Sequence, residues 1–505
     1  MPEIDSSFLA LPARGLAGSA LQRAGELGAE HADFRLERIR TGSLRLRDAQ
    51  IDSSSESEDI GLAVRVVHDG TWGFAAGIVR TTEGAAALAE QAVATARVSR
   101  VLSSQPVELA PEQVYDDVHW VSAYDVDPFG VPEGERIARM TELSERLLAA
   151  DGVDHVDASV TFVLENTFYA DLAGTMTTQQ RVRIEPEFTA VAVDRGAGSF
   201  SSLRTLAPPV GRGWEYLTGT GWDFDAELDE LPGLLREHVK APGVTPGRYD
   251  LVIDPSNLWL TIHESIGHAT ELDRALGYEA AYAGTTFATP DRLGSLRYGS
   301  PIMNVTGDRT TEHGLASIGW DDEGVAAQRF DLVRDGVLVG YQLNRQMARA
   351  NADRLGTDRS NGCAFADSPG HIPLQRMANV SLQPDPEGPT LDELVGRVEN
   401  GILIKGDRSW SIDMQRFNFQ FTGQQFHRIE NGRLVGQLRD VAYQATTTDF
   451  WGAMEAVGGP STWYLGGAMN CGKGQPGQIA AVSHGAPAAL FRGINVLNTR
   501  QEGGK

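Results

Sequence analysis

The sequence feature that most constrains the fold is a glutamate between two histidines, formed by His263, Glu264 and His268. Neutral imidazoles bind zinc, and a neighbouring carboxylate can take the proton of a metal-activated water. On a regular α-helix, residues five positions apart point about 140° away from each other, so the two rings could not share one ion. One wider π-helical turn would bring them together, and Gly267 gives the backbone room for it. Metal binding therefore predicts a π turn at this motif.

The spacing alone leaves two interpretations of this motif open. Two histidines and a glutamate in one helix can bind a metal, or they can form a solvated face beside a core histidine. Because a catalytic zinc usually has three protein ligands, the decision depends on the rest of the chain. The candidates for a third ligand are Glu271, His313, Cys363, His371, His427, Cys471 and His484.

Three of these candidates can be judged from their neighbours in the sequence. Glu271 follows His268 by three residues, so a continuing helix would carry it past the ion; we expect it to orient a ligand or cap a neighbour. Cys471 lies among glycines, where the backbone can approach another element and aim a thiolate at a metal. Cys363 fits a small buried apolar position. The residues favour Cys471, although a buried cysteine in a glycine-rich turn is also common without metal.

Charge and composition exclude several classes of function. A formal net charge of -24 argues against nonspecific binding to DNA or anionic membranes, since both need basic patches. No apolar run reaches the ~18 residues of a membrane span, and the N-terminus lacks the long apolar segment of a secretory signal. Two cysteines make no disulfide framework, which fits a reducing compartment. We therefore expect a cytoplasmic protein with no nucleic-acid or membrane partner.

The pattern of apolar residues predicts an α+β chain of three domains. Residues 1–105 read as a small N-terminal domain of helices and hairpins. Residues 106–240 read as a second α+β domain, and the Pro/Gly-rich stretch that follows is the clearest linker. Residues 241–505 read as a large, mostly antiparallel β domain that carries the H-E-x-x-x-H helix.

Local turn signals predict individual hairpins within these domains. The alternating segments 31–40 and 41–51 are predicted to be two strands joined by a short turn. Asp69-Gly70, Asp335-Gly336 and Asn431-Gly432 are typical two-residue hairpin turns.

An ordered series of motifs closely resembles the TldD/PmbA family of metalloproteases, in particular the TldD-type subunit that carries the metal motif. The series consists of HESIGH-x-x-E, the segment GWDDEG at 319–324, VRDGVLVGYQLNRQMA, HIPLQRMANV and NCGKGQPGQ. The similarity is dense from about residue 245 onward. The resemblance implies that His263, His268 and Cys471 bind zinc and that Glu264 is the general base. A thiolate–imidazole ligand set also favours zinc over magnesium or calcium.

The resemblance further implies a zinc-dependent peptidase that hydrolyses short or unfolded peptides threaded into an enclosed chamber. It implies a dimer, formed either with a second copy of the chain or with a homologous TldE/PmbA-type subunit. A β-rich domain could hold an extended peptide by adding it to a sheet edge.

Two alternatives to a peptidase stay open from the sequence. One is a zinc amidase that acts on small molecules, and the other is a non-catalytic or regulatory subunit that modulates a partner, including a gyrase-linked role. The intact Glu264 argues against pure scaffolding, since metal binding needs the ligands but not the base. The oxyanion donor is not assigned; the candidates by residue type are His313, Tyr341, His371 and Arg376.

Overall fold

The computed structural model of the chain describes residues 3–103, 105–196, 198–474 and 476–502, and these residues form the expected α+β fold. The described residues of the first half form five α-helices: α1 Ser6–Leu9, α2 Ala13–Glu26, α3 Thr82–Ser99, α4 Glu133–Leu148 and α5 Phe224–Lys240. Its strands are β1 His31–Arg47, β2 Gln50–His68, β3 Thr71–Gly77, β4 Val118–Val121, β5 His155–Asp171, β6 Met176–Asp194 and β7 Ser199–Arg204.

These seven strands form one sheet in the order β3-β2-β1-β5-β6-β4, with β7 paired to β6. At its centre β1 pairs with β5 in an unbroken register from Asp33–Asp171 to Arg47–Asp157. Two hydrophobic cores form along this sheet, one with α2 and α3 and the other with α4 and α5. Strands from before and after residue 105 thus pair within one sheet. The domain boundaries at 105 and 240 stay a prediction.

The predicted turn between residues 40 and 41 is wrong. Strand β1 runs without interruption through Thr41-Gly42, and the chain reverses only at Asp48 and Ala49, which have φ angles of 50° and 61°. Gly42 is explained by packing, because a Cβ there would lie 2.2 Å from the ring of Phe162. A glycine that makes space for a ring across the sheet looks like a turn signal in the sequence.

The second half of the chain is rich in strands. They are β8 Gly247–Ile253, β9 Val305–Asp308, β10 Arg329–Arg334, β11 Val337–Leu338, β12 Ala364–Phe365, β13 Leu374–Gln375, β14 Asn379–Leu382, β15 Asn400–Ile412, β16 Asn418–Glu430, β17 Arg433–Leu438, β18 Val441–Thr446, β19 Met454–Val457, β20 Tyr464–Lys473, β21 Gln478–Ala486 and β22 Ala489–Asn498. The helices are α6 Pro255–Ile262, α7 Leu272–Ala275, α8 Arg345–Ala350, α9 Ala352–Leu355, α10 Leu391–Gly396, α11 Thr447–Gly452 and α12 Thr499–Glu502.

Five strands of the second half close into a ring. Strand β8 pairs in parallel with β15 and antiparallel with β22, which continues through β18 and β16 back to β15. Helix α6 follows directly from β8, all its residues are buried, and it packs against β15 and the β20–β21 hairpin. Among the described residues, no helix is both long and apolar enough to cross a lipid bilayer.

Candidate metal centre

Helix α6 leads into the H-E-x-x-x-H motif and starts at a well-formed N-terminus. The side chain of Asp254 accepts a hydrogen bond from the backbone N–H of Ser256, and Pro255 occupies the first helical position. Asn257 donates to the carbonyls of Gly406 and Thr422, which ties the first turn to strands β15 and β16. The helix is therefore fixed to the strand ring before the motif begins.

Residues His263–Gly267 form one turn of π-helix, which confirms the predicted deformation. The wider turn leaves the centroids of the His263 and His268 rings 4.7 Å apart. Carbonyls that a π turn releases from the α-helical pattern need other partners. Here the Ser265 carbonyl accepts from Tyr298, and the Gly267 carbonyl accepts from Gln342. Neighbouring side chains thus stabilise the distortion.

Gly267 supports this turn for a different reason than the sequence suggested. Its φ and ψ of -53° and -62° are helical, so no special backbone freedom is used. A Cβ at this position would instead lie 2.6 Å from the sulfur of Met377. The glycine is explained by the space that the Met377 side chain occupies.

The structure brings His263, His268 and Cys471 together. One ligand atom from each residue lies within 4.8 Å of the other two, and all three residues are buried. The Cys471 Sγ is 3.6 Å from Nε2 of His268. Zinc–sulfur and zinc–nitrogen bond lengths in a tetrahedral site would separate two such atoms by about 3.6 Å. The donor set and its spacing therefore fit a zinc ion.

Hydrogen bonds to the outer nitrogens leave the inner nitrogens of both histidines free to bind a metal. His484 Nδ1 donates to the Val380 carbonyl at 2.8 Å, so its Nε2 can accept from His263 Nδ1 at 2.7 Å. His268 Nδ1 donates a hydrogen bond to a carboxylate oxygen of Glu271, 2.9 Å away. In this tautomer, the neutral form of each ligand histidine has Nε2 as its metal-binding nitrogen. Glu271 thus makes the hydrogen bond that the expected orienting role requires.

Electrostatics favour metal-binding protonation states at this cluster. Burial lowers the pKa of His263, which keeps this imidazole neutral. Burial raises the pKa of the Cys471 thiol, but His268 and Arg376 outweigh it and lower the pKa below its ordinary value. In contrast, burial raises the pKa of Cys363 to about 12. Cys471 is therefore the cysteine that is prepared to act as a thiolate ligand.

A buried lysine anchors the strand that carries the cysteine. Lys473 Nζ lies 3.1 Å from Glu271, 2.9 Å from Asp273 and 3.1 Å from Glu279, and its side chain is 1% exposed. Burial raises the pKa of Glu271, yet Lys473 and His268 hold it well below its usual value. This role was not predicted from the sequence, although the position of the lysine, two residues after the candidate cysteine, could have suggested it.

Glu264 faces the same site and is paired with an arginine that the sequence reading also missed. Its Oε2 accepts from Nη1 of Arg416 at 2.5 Å. Burial raises the pKa of Glu264, but the neighbouring histidines, Arg416 and a hydrogen bond from Trp410 together lower it. Glu264 is thus held as a carboxylate, able to accept a proton.

The other candidates have partners elsewhere. Among the described residues, only the His–His–Cys trio forms a cluster with metal-ligand spacing. His313 bonds to the Gly211 carbonyl, His371 to Asp367, Tyr341 to the Ala288 carbonyl and Arg376 to the Cys471 carbonyl, while His427 lies half-buried in β16.

A glutamate and two imidazoles on one helical segment, with a thiolate from a neighbouring strand of a β-rich domain, form the arrangement of a metallopeptidase. Residues 246–498 match the PmbA/TldA metallopeptidase C-terminal domain, and residues 32–96 match domain 1 of the same metallopeptidases. The chain belongs to the PmbA/TldD family.

Relatives over nearly the full length are named as metalloproteases. A metalloprotease of Methanothermobacter thermautotrophicus is 27% identical over 504 residues, with 98% of this chain and all of that protein covered. A zinc metalloprotease TldD homolog of Saccharolobus solfataricus is 22% identical, with 94% and 98% covered.

Solved structures share the fold. A Thermotoga maritima protein described as a candidate modulator of a DNA gyrase gives a TM-score of 0.73 at 15% identity, with 96% of this chain and 100% of that chain covered. TldE from Thermococcus kodakarensis gives a TM-score of 0.68 at 14% identity, with 95% and 99% covered.

Proposed function

We propose that this chain is a zinc-dependent peptidase that hydrolyses peptide bonds in short or unfolded peptides. The observation that carries the proposal is the position of Glu264, an ionised carboxylate next to a complete His263–His268–Cys471 ligand set. A zinc ion in such a site acts as a Lewis acid that polarises a carbonyl and makes water more acidic. A protein that only binds metal has no need of the carboxylate.

Several residues of the chain have separate roles in hydrolysis. Glu264 takes a proton from the attacking water and hands it to the leaving amine, as a general base and then a general acid. His484 and Glu271 hold the two ligand imidazoles in the tautomer that exposes Nε2. Lys473 holds β20 so that Cys471 stays in position.

The accessibility of the site supports the choice of substrate. His263, His268, Glu264 and Cys471 are each 5–6% exposed. A compact folded protein cannot bring its backbone to side chains as buried as these, whereas a short or unfolded peptide can present a single extended segment. Exposed apolar side chains lie on the two segments that contact the site through Ala283, Trp410 and Arg416, and they can contact either a peptide or a second subunit: Tyr278, Tyr282, Trp410 and Met414.

Zinc content and cleavage, measured on the same samples, test the ligand set and the base. We expect about one zinc per chain in the wild type and in Cys363→Ala, which truncates the cysteine outside the cluster. Cys471→Ala should lose the metal, while Glu264→Gln should keep it and stop cleaving. Full zinc content in Cys471→Ala would contradict the ligand assignment.

The substrate class is tested with one protein in two states. A small protein should be cleaved when it is chemically unfolded and resist cleavage when it is native. Equal cleavage of both would contradict the proposal, and turnover of dipeptides alone would favour the amidase.

The proposal includes a dimer, with a second copy of the chain or a TldE/PmbA-type subunit, and the similarity in fold to TldE supports it. Light scattering measures the molar mass of the purified chain alone and of its mixture with such a subunit. A monomer in both samples would contradict the dimer. If the wild type binds zinc and the partner subunit but cleaves no peptide, the result would favour a regulatory role.

A further inference from the structure

The candidates by residue type for the oxyanion donor all have hydrogen-bond partners other than Glu264. Tyr341 and His313 bond to backbone carbonyls, and His371 bonds to Asp367. Arg376 donates through Nη2 to the Cys471 carbonyl, and its Nε and Nη1 have no hydrogen-bond partner among the described residues; its side chain is 1% exposed, however, so an entering peptide does not contact it. A substrate at Glu264 needs a donor from another part of the chain.

We propose that Arg416 is this donor and stabilises the negative charge that develops on the substrate carbonyl oxygen. The proposal rests on the peptidase function above. Arg416 Nη1 is 2.5 Å from Glu264 Oε2, and its side chain is 13% exposed, so an entering peptide can reach it. Its Nη2 makes only a long contact of 3.4 Å to the Ala283 carbonyl. Its buried Nε has no hydrogen-bond partner among the residues that the structure describes.

The loop between β15 and β16 is built to hold this arginine. Arg416 has a φ of 60°, a conformation that a non-glycine residue adopts at a cost in energy. The carboxylate of Asp413 accepts from the backbone N–H groups of Gln415, Phe417 and Asn418, which fixes the turn. Thr447 donates to the Arg416 carbonyl at 2.7 Å. The backbone at Arg416 is therefore fixed before substrate arrives.

A second segment supports the same loop from the side. The backbone N–H of Thr285 donates to the Met414 carbonyl at 2.7 Å, and that of Phe287 donates to the Gln415 carbonyl at 2.9 Å. Gly284 has a φ of 82°, and a Cβ there would lie 2.0 Å from the Met414 carbonyl oxygen. Close backbone contact thus determines where the tip of the hairpin lies.

Conservation of charge during the reaction explains why the arginine is next to the base. As the water oxygen bonds to the carbonyl carbon, a water proton moves to Glu264 and the π electrons of the carbonyl move to its oxygen. The negative charge therefore leaves the Glu264 carboxylate and appears on the substrate. Arg416 keeps its positive charge and is within reach of both positions, so the buried site stays balanced throughout.

The test compares Arg416→Gln and Arg416→Lys with Arg428→Gln, a control in the neighbouring strand β16 whose exposed guanidinium pairs with Glu430. In Arg416→Gln, kcat should fall about 100-fold or more while KM stays nearly constant. The lysine variant should keep part of the activity, and the control should match the wild type. Thermal unfolding shows that each variant is folded, and zinc content shows that each has bound its metal.

A binding measurement separates this inference from the peptidase proposal. A phosphinic peptide, whose phosphinate mimics the tetrahedral oxyanion, should lose affinity for Arg416→Gln by the same factor as kcat. A product peptide should bind both proteins equally. Unchanged kcat, or unchanged affinity for the phosphinic peptide, overturns the role of Arg416. The wild type could also cleave no peptide and still bind the phosphinic peptide more tightly than Arg416→Gln does. That result would support Arg416 as the group that binds the oxyanion and would contradict the peptidase proposal.

Discussion

Replacing His484 with leucine should weaken zinc binding without removing a ligand. The imidazole is fully buried between the Val380 carbonyl, 2.8 Å away, and Nδ1 of His263, 2.7 Å away. Leucine leaves both of these groups without a partner, at about 1–3 kcal/mol each, so the free energy of unfolding should fall by about 2–6 kcal/mol. Loss of the contact that orients His263 should weaken zinc affinity about 10- to 100-fold.

Competition with a chelating dye measures that affinity on the folded protein. His484→Gln is the matched variant, since its side-chain oxygen can still accept from His263. It should bind zinc close to the wild-type affinity. His427→Leu serves as a control, because His427 lies in β16 outside the cluster. If His484→Leu binds zinc within about threefold of the wild type, the hydrogen bond does not orient the ligand, and the reasoning fails.

Three further changes test other parts of the structure. Lys473→Met removes the cation shared by three buried carboxylates and should lower the free energy of unfolding, measured in urea, by about 3–5 kcal/mol. An unchanged free energy would show that the cluster does not anchor β20. The Arg65 guanidinium, 2.7 Å from Asp33, lowers the pKa of this buried carboxyl to about 2 against the effect of burial. Because this pKa lies below the unfolded value of 3.8, its stabilisation is complete above pH 3.8 and is lost as pH falls through about 2. The stability gap between the wild type and Asp33→Asn, measured by unfolding at each pH, should therefore narrow over that range by about 2 kcal/mol, and a constant gap would contradict it. Gly284→Ala should displace the Met414 backbone and lower kcat about 10- to 100-fold at unchanged zinc content; unchanged kcat would show that the hairpin tip tolerates the shift.

Features set by local chemistry were predictable from the sequence. Asp69-Gly70, Asp335-Gly336 and Asn431-Gly432 all have positive φ angles and connect paired strands, as two-residue hairpins require. The π turn followed from geometry, since two histidines five residues apart can share an ion only on a widened helix. Each of these predictions needs only a few neighbouring residues.

Features that depend on distant partners were not predictable in the same way. Gly42 was interpreted as a turn because nothing near it in the sequence reveals the Phe162 ring that needs its space. Arg416 carries no local signal, since only folding brings it to Glu264, 152 residues earlier in the chain. The pairing of His484 with His263 spans 221 residues and was equally hidden.

The separation of the ligands along the chain has a consequence during synthesis. His268 and Cys471 are 203 residues apart, and the strand ring closes only when β22 has been made. At about 5–20 residues per second, a ribosome needs roughly 10–40 s to travel from one ligand to the other. Throughout that interval the nascent chain carries two histidines and a base without the thiolate. The full ligand set therefore cannot assemble next to the unfolded nascent chain until Cys471 has been made.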